Sequence, residues 1–215
     1  MIKLKPSEKL DSLPPYLFTR IHKLKLEAYA KKLDVIDLSI GNPDMPTPSH
    51  VVDCLCDTVK HHPRTHGYPQ AKGMPKFRKA VAGWMGRRFG VDLDFNSEIL
   101  ALIGSKEGIA HLCMAYLNPG DYVLVCDPAY PAHFNGVILA GGRIHSMPLL
   151  EENDYLPDFS KIPVSIAKKA KIMLLNYPNN PTAAFVKAPS FWKEAIKYCQ
   201  HFLHTQNLRK LHDAI

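Results

Sequence analysis

From residue 98 to residue 202, short β-rich runs and helix-patterned stretches take turns, and this alternation restricts the chain more than any other feature of its sequence. The pattern predicts strands at 98–103, 122–126 and 143–148, with helices at 105–117 and 132–140 between them. Residues 171–176 read as a further, buried strand, and 190–202 as a helix opened by the cap serine Ser190. A β-α-β-α-β succession sets strands side by side and parallel, with helices on the faces. The expected fold class is therefore α/β: a three-layer αβα domain with a mainly parallel sheet. Upstream, helices are expected at 17–32, from the cap residue Ser49 to 60, and at 74–89, where Gly90 ends the last one. A short strand at 35–40 is closed by Gly41-Asn42-Pro43.

The 215 residues, 46% hydrophobic and 22% charged, suffice to bury a core within one domain. No run of 18 apolar residues occurs, and the opening Met1-Ile2-Lys3-Leu4-Lys5 leads into no apolar stretch, so a cytoplasmic protein with no membrane partner is expected. Five cysteines, an odd number without C-x-x-C spacing, argue against a disulfide framework or a zinc knuckle and for free thiols. The net charge of +7 is spread among acids, as in Lys23-Leu24-Lys25-Leu26-Glu27, so no nucleic-acid partner is expected. His61, His62 and His66 cluster in a proline-containing loop without ligand spacing, so no metal is expected either.

In open α/β sheets ligands bind beyond the carboxyl ends of strands, which directs attention to the loops after residues 103, 126 and 176. Gly104-Ser105-Lys106-Glu107-Gly108 would bring backbone N–H groups and a hydroxyl to a positive helix terminus, suited to a phosphate or simply to an ordinary helix cap. Its spacing is neither that of a Walker loop nor that of the G-x-G-x-x-G fingerprint, which disfavours a nucleotide-binding Rossmann domain. In Asp127-Pro128-Ala129-Tyr130-Pro131 two prolines stiffen the chain around Tyr130, whose ring could stack on a planar cofactor or pack on the domain surface. Asn176-Tyr177-Pro178-Asn179-Asn180-Pro181-Thr182 could present the Asn180 amide to a ring oxygen or be no more than a turn. At three ends of one sheet, the loops would converge as phosphate cradle, stacking surface and hydrogen-bond donor.

With these residues the sequence resembles the fold-type I pyridoxal-phosphate aminotransferases of class I/II. The likeness runs from Leu13-Pro14-Pro15-Tyr16-Leu17-Phe18 through Ile40-Gly41-Asn42-Pro43-Asp44, Tyr68 with Gly73, the Gly-Ser-Lys-Glu-Gly loop and Leu117-Asn118-Pro119-Gly120-Asp121 to the Asn-Asn-Pro-Thr turn. The Leu-Pro-Pro-Tyr opening and the Gly-Ser-Lys-Glu-Gly-Ile-Ala-His run resemble in particular the LL-diaminopimelate aminotransferases. The resemblance implies the large domain of the aspartate-aminotransferase fold at residues 46–200, an N-terminal arm and small-domain segment at 1–45, and an atypical tail at 201–215. It implies pyridoxal 5'-phosphate as cofactor, with Ser105 and Lys106 on its phosphate, Tyr130 on its ring and Asn180 on its phenolic oxygen. Gly41, Tyr16 and Lys106 would meet an amino-acid or 2-oxo-acid substrate, together with Tyr130 and Asn180. Tyr68 would reach the cofactor phosphate of a second subunit in a homodimer.

The same resemblance implies ping-pong amino transfer through a Schiff-base lysine and a carboxylate-binding arginine, and neither motif occurs in these 215 residues. No catalytic residue is assigned, and a frameshifted or prematurely ended gene product, inactive alone, is the expectation. A non-catalytic binding or regulatory partner of a full-length aminotransferase is the alternative. Further departures are Ala183 where the family carries glycine, strained if φ is positive there, and His212-Asp213-Ala214, where Asp213 would pair with the pyridinium nitrogen. Without further strands, apolar surface or an open sheet edge is expected, and with it poor solubility.

Overall fold

The computed structural model describes residues 5–41 and 43–202 and divides into two compact units, residues 14–70 and the remainder. In the larger unit a short helix α1 (Glu8–Asp11) precedes α4 (Pro75–Phe89), α5 (Ser105–Tyr116), β1 (Tyr122–Asp127), α6 (Pro131–Leu139), β2 (Arg143–Pro148), α7 (Val164–Ala167), β3 (Ala170–Leu174) and α8 (Pro189–Phe202). The unit 14–70 holds α2 (Leu17–Ala30) and α3 (Ser49–His61), followed by a 3-10 turn at Pro63–His66.

The sheet has the order β2-β1-β3, with both pairings parallel. Tyr122 through Asp127 pair with Arg143 through Pro148, and Val123 through Val125 with Ile172 through Leu174. Side chains alternate across a strand, so β1 feeds two cores. Val123 and Val125 pack with Cys113 and Leu117 around α5 and with Val137 of α6. Leu124 and Cys126 pack on the other side with Met147, Phe159, and Phe191 and Ala195 of α8. The result is three layers, and it explains why 123–126 reads as an unbroken apolar run: a central parallel strand is covered on both faces. Burying a leucine such as Leu124 contributes about 2–3 kcal/mol. Ring stacking of Phe159 with Phe191 and with Tyr198, each at 5.6 Å, ties α8 to its face.

Two expected strands do not form. At 35–40 the backbone is bent by Asp37, whose Oδ1 accepts from the N–H and hydroxyl of Ser39 while Oδ2 pairs with Lys25 of α2. Ile36 and Leu38 are 83% and 91% exposed, so the apolar alternation has no layer to face. At 98–103 the N–H groups are taken up outside any strand ladder: Glu98 donates to Asp94 O and Ile103 to the Glu107 carboxylate, both local, while Ala101 donates to Lys72 O, before α4. Neither segment has a neighbouring strand among the described residues, and an apolar run without a ladder partner remains an extended segment. The expected caps also shift. Pro48 stands at the N-cap of α3, with Ser49 its first helical residue, Gly104 at positive φ is the N-cap of α5, and α8 begins at Pro189, whose missing N–H suits the first helical position.

The expected apolar exposure is present, in Leu100, Ile103, Met114 and Tyr116 of the larger unit and along both helices of residues 14–70. Among the described residues, no helix is long and apolar enough to cross a membrane, and no cluster of three or more His, Cys, Asp or Glu side chains could hold a metal ion.

Candidate functional site

The loop before α5 turns at Gly104, whose φ of +77° is the left-handed region open to glycine. Gly108, one turn into the helix, lies so close to Leu102 that an added Cβ would come within 2.5 Å of its Cδ1. The Glu107 carboxylate reaches back to the N–H of Ile103, which fixes the approach of the loop. No side chain caps the first turn itself. Ser105 and Lys106 therefore stand exposed at a helix terminus whose leading N–H groups point outward, an arrangement suited to an anion.

β1 ends at Asp127, where Ser146 of β2 donates to the carboxylate at 2.9 Å. Three residues later Tyr130 caps α6 in an extended conformation, with Pro131 at the first helical position. The Tyr130 ring is half-buried between two groups. The Lys106 ammonium sits 5.5 Å from its centroid, and the His133 ring meets it edge-on at 6.3 Å and 82°. Lys106 thus joins the phosphate-type loop to the aromatic loop. His133 is buried, with Nδ1 unpartnered among the described residues, and burial holds its pKa below the ordinary value, which favours the neutral imidazole. The thiol of Cys126, beneath this end of the sheet, is pushed up to about 12 by burial and stays protonated.

Because β3 is parallel to β1 and adjacent to it, the chain leaving Leu174 emerges on the same side as the one leaving Asp127. Tyr177 packs edge-on against Phe191 and Trp192 and donates its hydroxyl to Tyr155 O at 2.9 Å, anchoring the approach to the asparagine turn. Asn179 is 3% exposed and Asn180 is exposed. Ala183 has φ of +59°, so the expected strain is real, about 1–2 kcal/mol for a residue carrying a Cβ.

Of the residues singled out from sequence, the larger unit carries Ser105, Lys106, Tyr130 and Asn180 at one end of its layers, with Lys106 and Tyr130 in contact. Tyr16, Gly41 and Tyr68 belong to the unit 14–70, where Tyr16 lies 5.4 Å from the Phe18 ring and Tyr68 is fully exposed. Asp213 lies outside the described residues. Sequence reasoning missed His133 and Asn179. The first stands three residues after Tyr130, on the same helical face, which is a usable signal. The second is indistinguishable from its neighbour in an Asn-Asn pair until burial separates them.

The family profile for aminotransferase class I and II matches residues 33–204. LL-diaminopimelate aminotransferases from Syntrophobacter fumaroxidans and Aquifex aeolicus are 49% and 50% identical over 196 residues, each match covering 91% of this chain and 50% of the relative. The chain spans about half the length of the curated relatives it matches. Among solved structures, substrate-bound BacF from Bacillus subtilis matches with a TM-score of 0.85 at 36% identity, covering 94% of this chain and 50% of the other. A Thermus thermophilus aspartate aminotransferase mutant matches with a TM-score of 0.82 at 25% identity, covering 93% and 51%. The fold is thus that of the aspartate-aminotransferase group, whose class I and II members depend on pyridoxal phosphate. A family profile that matches most of this chain, together with relatives about half identical to it, makes this chain a member of the class I and II aminotransferases.

Proposed function

We propose that these residues supply the phosphate, ring-stacking and phenolic-oxygen contacts of a pyridoxal-phosphate site in an aminotransferase that takes LL-diaminopimelate as amino donor. The observation that carries the reading is the join between loops: the uncapped terminus of α5 bears Lys106, and the Lys106 ammonium sits over the Tyr130 ring. The donor set suits the cofactor, with outward N–H groups and Ser105 for a phosphate, a half-buried aromatic for a pyridine and an exposed amide at Asn180 for a phenolic oxygen. Bound pyridoxal phosphate would supply the carbonyl that exchanges amino groups and the ring that takes up electrons. The chain's own residues bind and orient: Ser105 and Lys106 fix the phosphate end, Tyr130 fixes the ring plane and Asn180 fixes the ring's rotation.

In this reading residues 46–200 are the cofactor-binding part and 1–45 the arm and small-domain segment. Tyr16 and Gly41 serve the substrate, Tyr68 serves the partner subunit of a homodimer, and the protein works in the cytoplasm. The diaminopimelate preference rests on the names of the relatives at 49% and 50% identity. No residue among these 215 is assigned the role of the Schiff-base lysine or of the carboxylate-binding arginine.

An absorbance titration of the chain with pyridoxal phosphate, followed by borohydride reduction and mass analysis, tests the division of labour. Saturable binding without one reproducible lysine adduct is expected, and LL-diaminopimelate should perturb the bound spectrum at lower concentration than aspartate or alanine. A single specific lysine adduct would show that the chain carries its own Schiff-base lysine. No binding would remove the cofactor reading.

A further inference from the structure

The asparagine turn is closed by a small set of hydrogen bonds, nearly all of which pass through one side chain or its own backbone. Asn179 Oδ1 accepts from the Thr182 N–H at 3.2 Å and from the Thr182 hydroxyl at 2.9 Å. The Asn179 N–H donates to Ala184 O at 2.7 Å, and Asn179 O accepts from the Ala183 N–H at 2.8 Å. The one remaining bond runs from the Ala184 N–H to the Thr182 hydroxyl at 3.3 Å. Asn179 Nδ2 is buried and has no partner among the described residues, so the amide is held by its oxygen alone. These bonds close over Ala183 at φ +59°, an unfavourable conformation for alanine that the turn must be rigid to maintain. Asn180, between the buried residue and Thr182, is left exposed.

We propose that Asn179 is the positioning residue of this site: by locking the 179–184 turn through Oδ1, it presents the Asn180 amide in one orientation to the ring oxygen of the cofactor. The proposal rests on the cofactor reading above for the identity of what Asn180 meets, but the locking of the turn belongs to the unliganded chain. Removing the Oδ1 acceptor frees Thr182 and lets Ala183 leave the left-handed region, after which Asn180 samples several orientations and loses the advantage of being pre-set.

The test combines two measurements on the full chain, applied to Asn179→Ala, Asn180→Ala, the double variant and Thr182→Val. In unliganded protein, Asn179→Ala should speed amide hydrogen exchange at Thr182 and Ala183 about tenfold or more while 123–125 keep their protection. Thr182→Val, which removes a donor to Oδ1 and keeps the side-chain shape, should do the same more weakly. In titrations with pyridoxal phosphate, Asn179→Ala should weaken binding about tenfold alone and much less in the Asn180→Ala background, as two residues acting in series require. The pH at which the bound cofactor's absorbance band titrates should move in the same direction in both single variants, which a general loss of stability would not produce. Unchanged exchange at Thr182 and Ala183, or an equal affinity loss with and without Asn180, overturns the proposal. Wild-type protein that binds no pyridoxal phosphate overturns the cofactor reading instead, and the exchange measurement then still decides whether Asn179 holds the turn.

Discussion

The residues around β1 and the residues from 14 to 70 use similar apolar content to opposite effect. In the larger unit, Val123, Leu124, Val125 and Cys126 are fully enclosed, because a parallel strand with a helix on each face has no exposed side. Among the described residues of the unit 14–70 none is buried: α2 and α3 leave Leu24, Val52, Leu55 and Val59 exposed, and the local bonds include the Lys25–Asp37 ion pair and those from Ser39 to Asp37. Amphipathic patterning therefore produces helices in both regions, while enclosure, and the stability that comes with it, exists only where a second layer is present.

Several substitutions would break that contrast if it were wrong. Leu124→Ala is expected to cost about 2–5 kcal/mol, and Leu55→Ala within about 0.5 kcal/mol, in denaturant unfolding followed by circular dichroism. Equal losses would mean that α3 is enclosed in solution. A smaller effect of opposite sign is expected at the asparagine turn: Ala183→Gly removes the left-handed strain and should stabilise by about 1 kcal/mol, raising the thermal midpoint by about 2–4 °C.

The two regions should also respond to different pH ranges. Burial holds the His133 pKa below its ordinary value of 6.5. Below pH 6.5 the unfolded chain takes up a proton that the folded chain refuses, so stability falls with pH until folded His133 itself protonates. His133→Phe should flatten that part of the stability profile. Asp37 behaves differently: hydrogen bonds from Lys25 and Ser39 hold its carboxyl well below 3.8, so its contribution is complete above 3.8 and disappears as pH falls through the lower, folded value. Hydrogen exchange of 35–39 at acid pH, compared in wild type and Asp37→Asn, would register this smallest effect.

The parts of the fold legible in the sequence are those in which one residue pattern admits one environment. The run 123–126, with turn residues on both sides, fits only a doubly covered strand, and the positive φ at Ala183 follows from the turn it occupies. The segments 35–40 and 98–103 are equally β-rich but depend on a ladder partner elsewhere in the chain, and the side chains of Asp37 and Glu107 claim the N–H groups of Ser39 and Ile103 for local bonds. At the site, Tyr130 and Lys106 are legible from chemistry at a strand end. Their contact is not, because it depends on how closely α5 and α6 approach, and at Gly136 of α6 that approach leaves little room for a side chain: an added Cβ would lie 3.4 Å from Ala110 Cα. Asn179 escapes for a similar reason, since its role is created by burial.

The most direct test of the cofactor cradle is a paired titration of the chain with pyridoxal phosphate and with pyridoxal, repeated for Lys106→Met. The expected result is binding of pyridoxal phosphate at least about tenfold tighter than pyridoxal, with most of that difference lost in Lys106→Met, because the proposed cradle sets the phosphate at the α5 terminus beside Lys106. Equal affinities for the two compounds, or a difference untouched by removing the lysine, would contradict it.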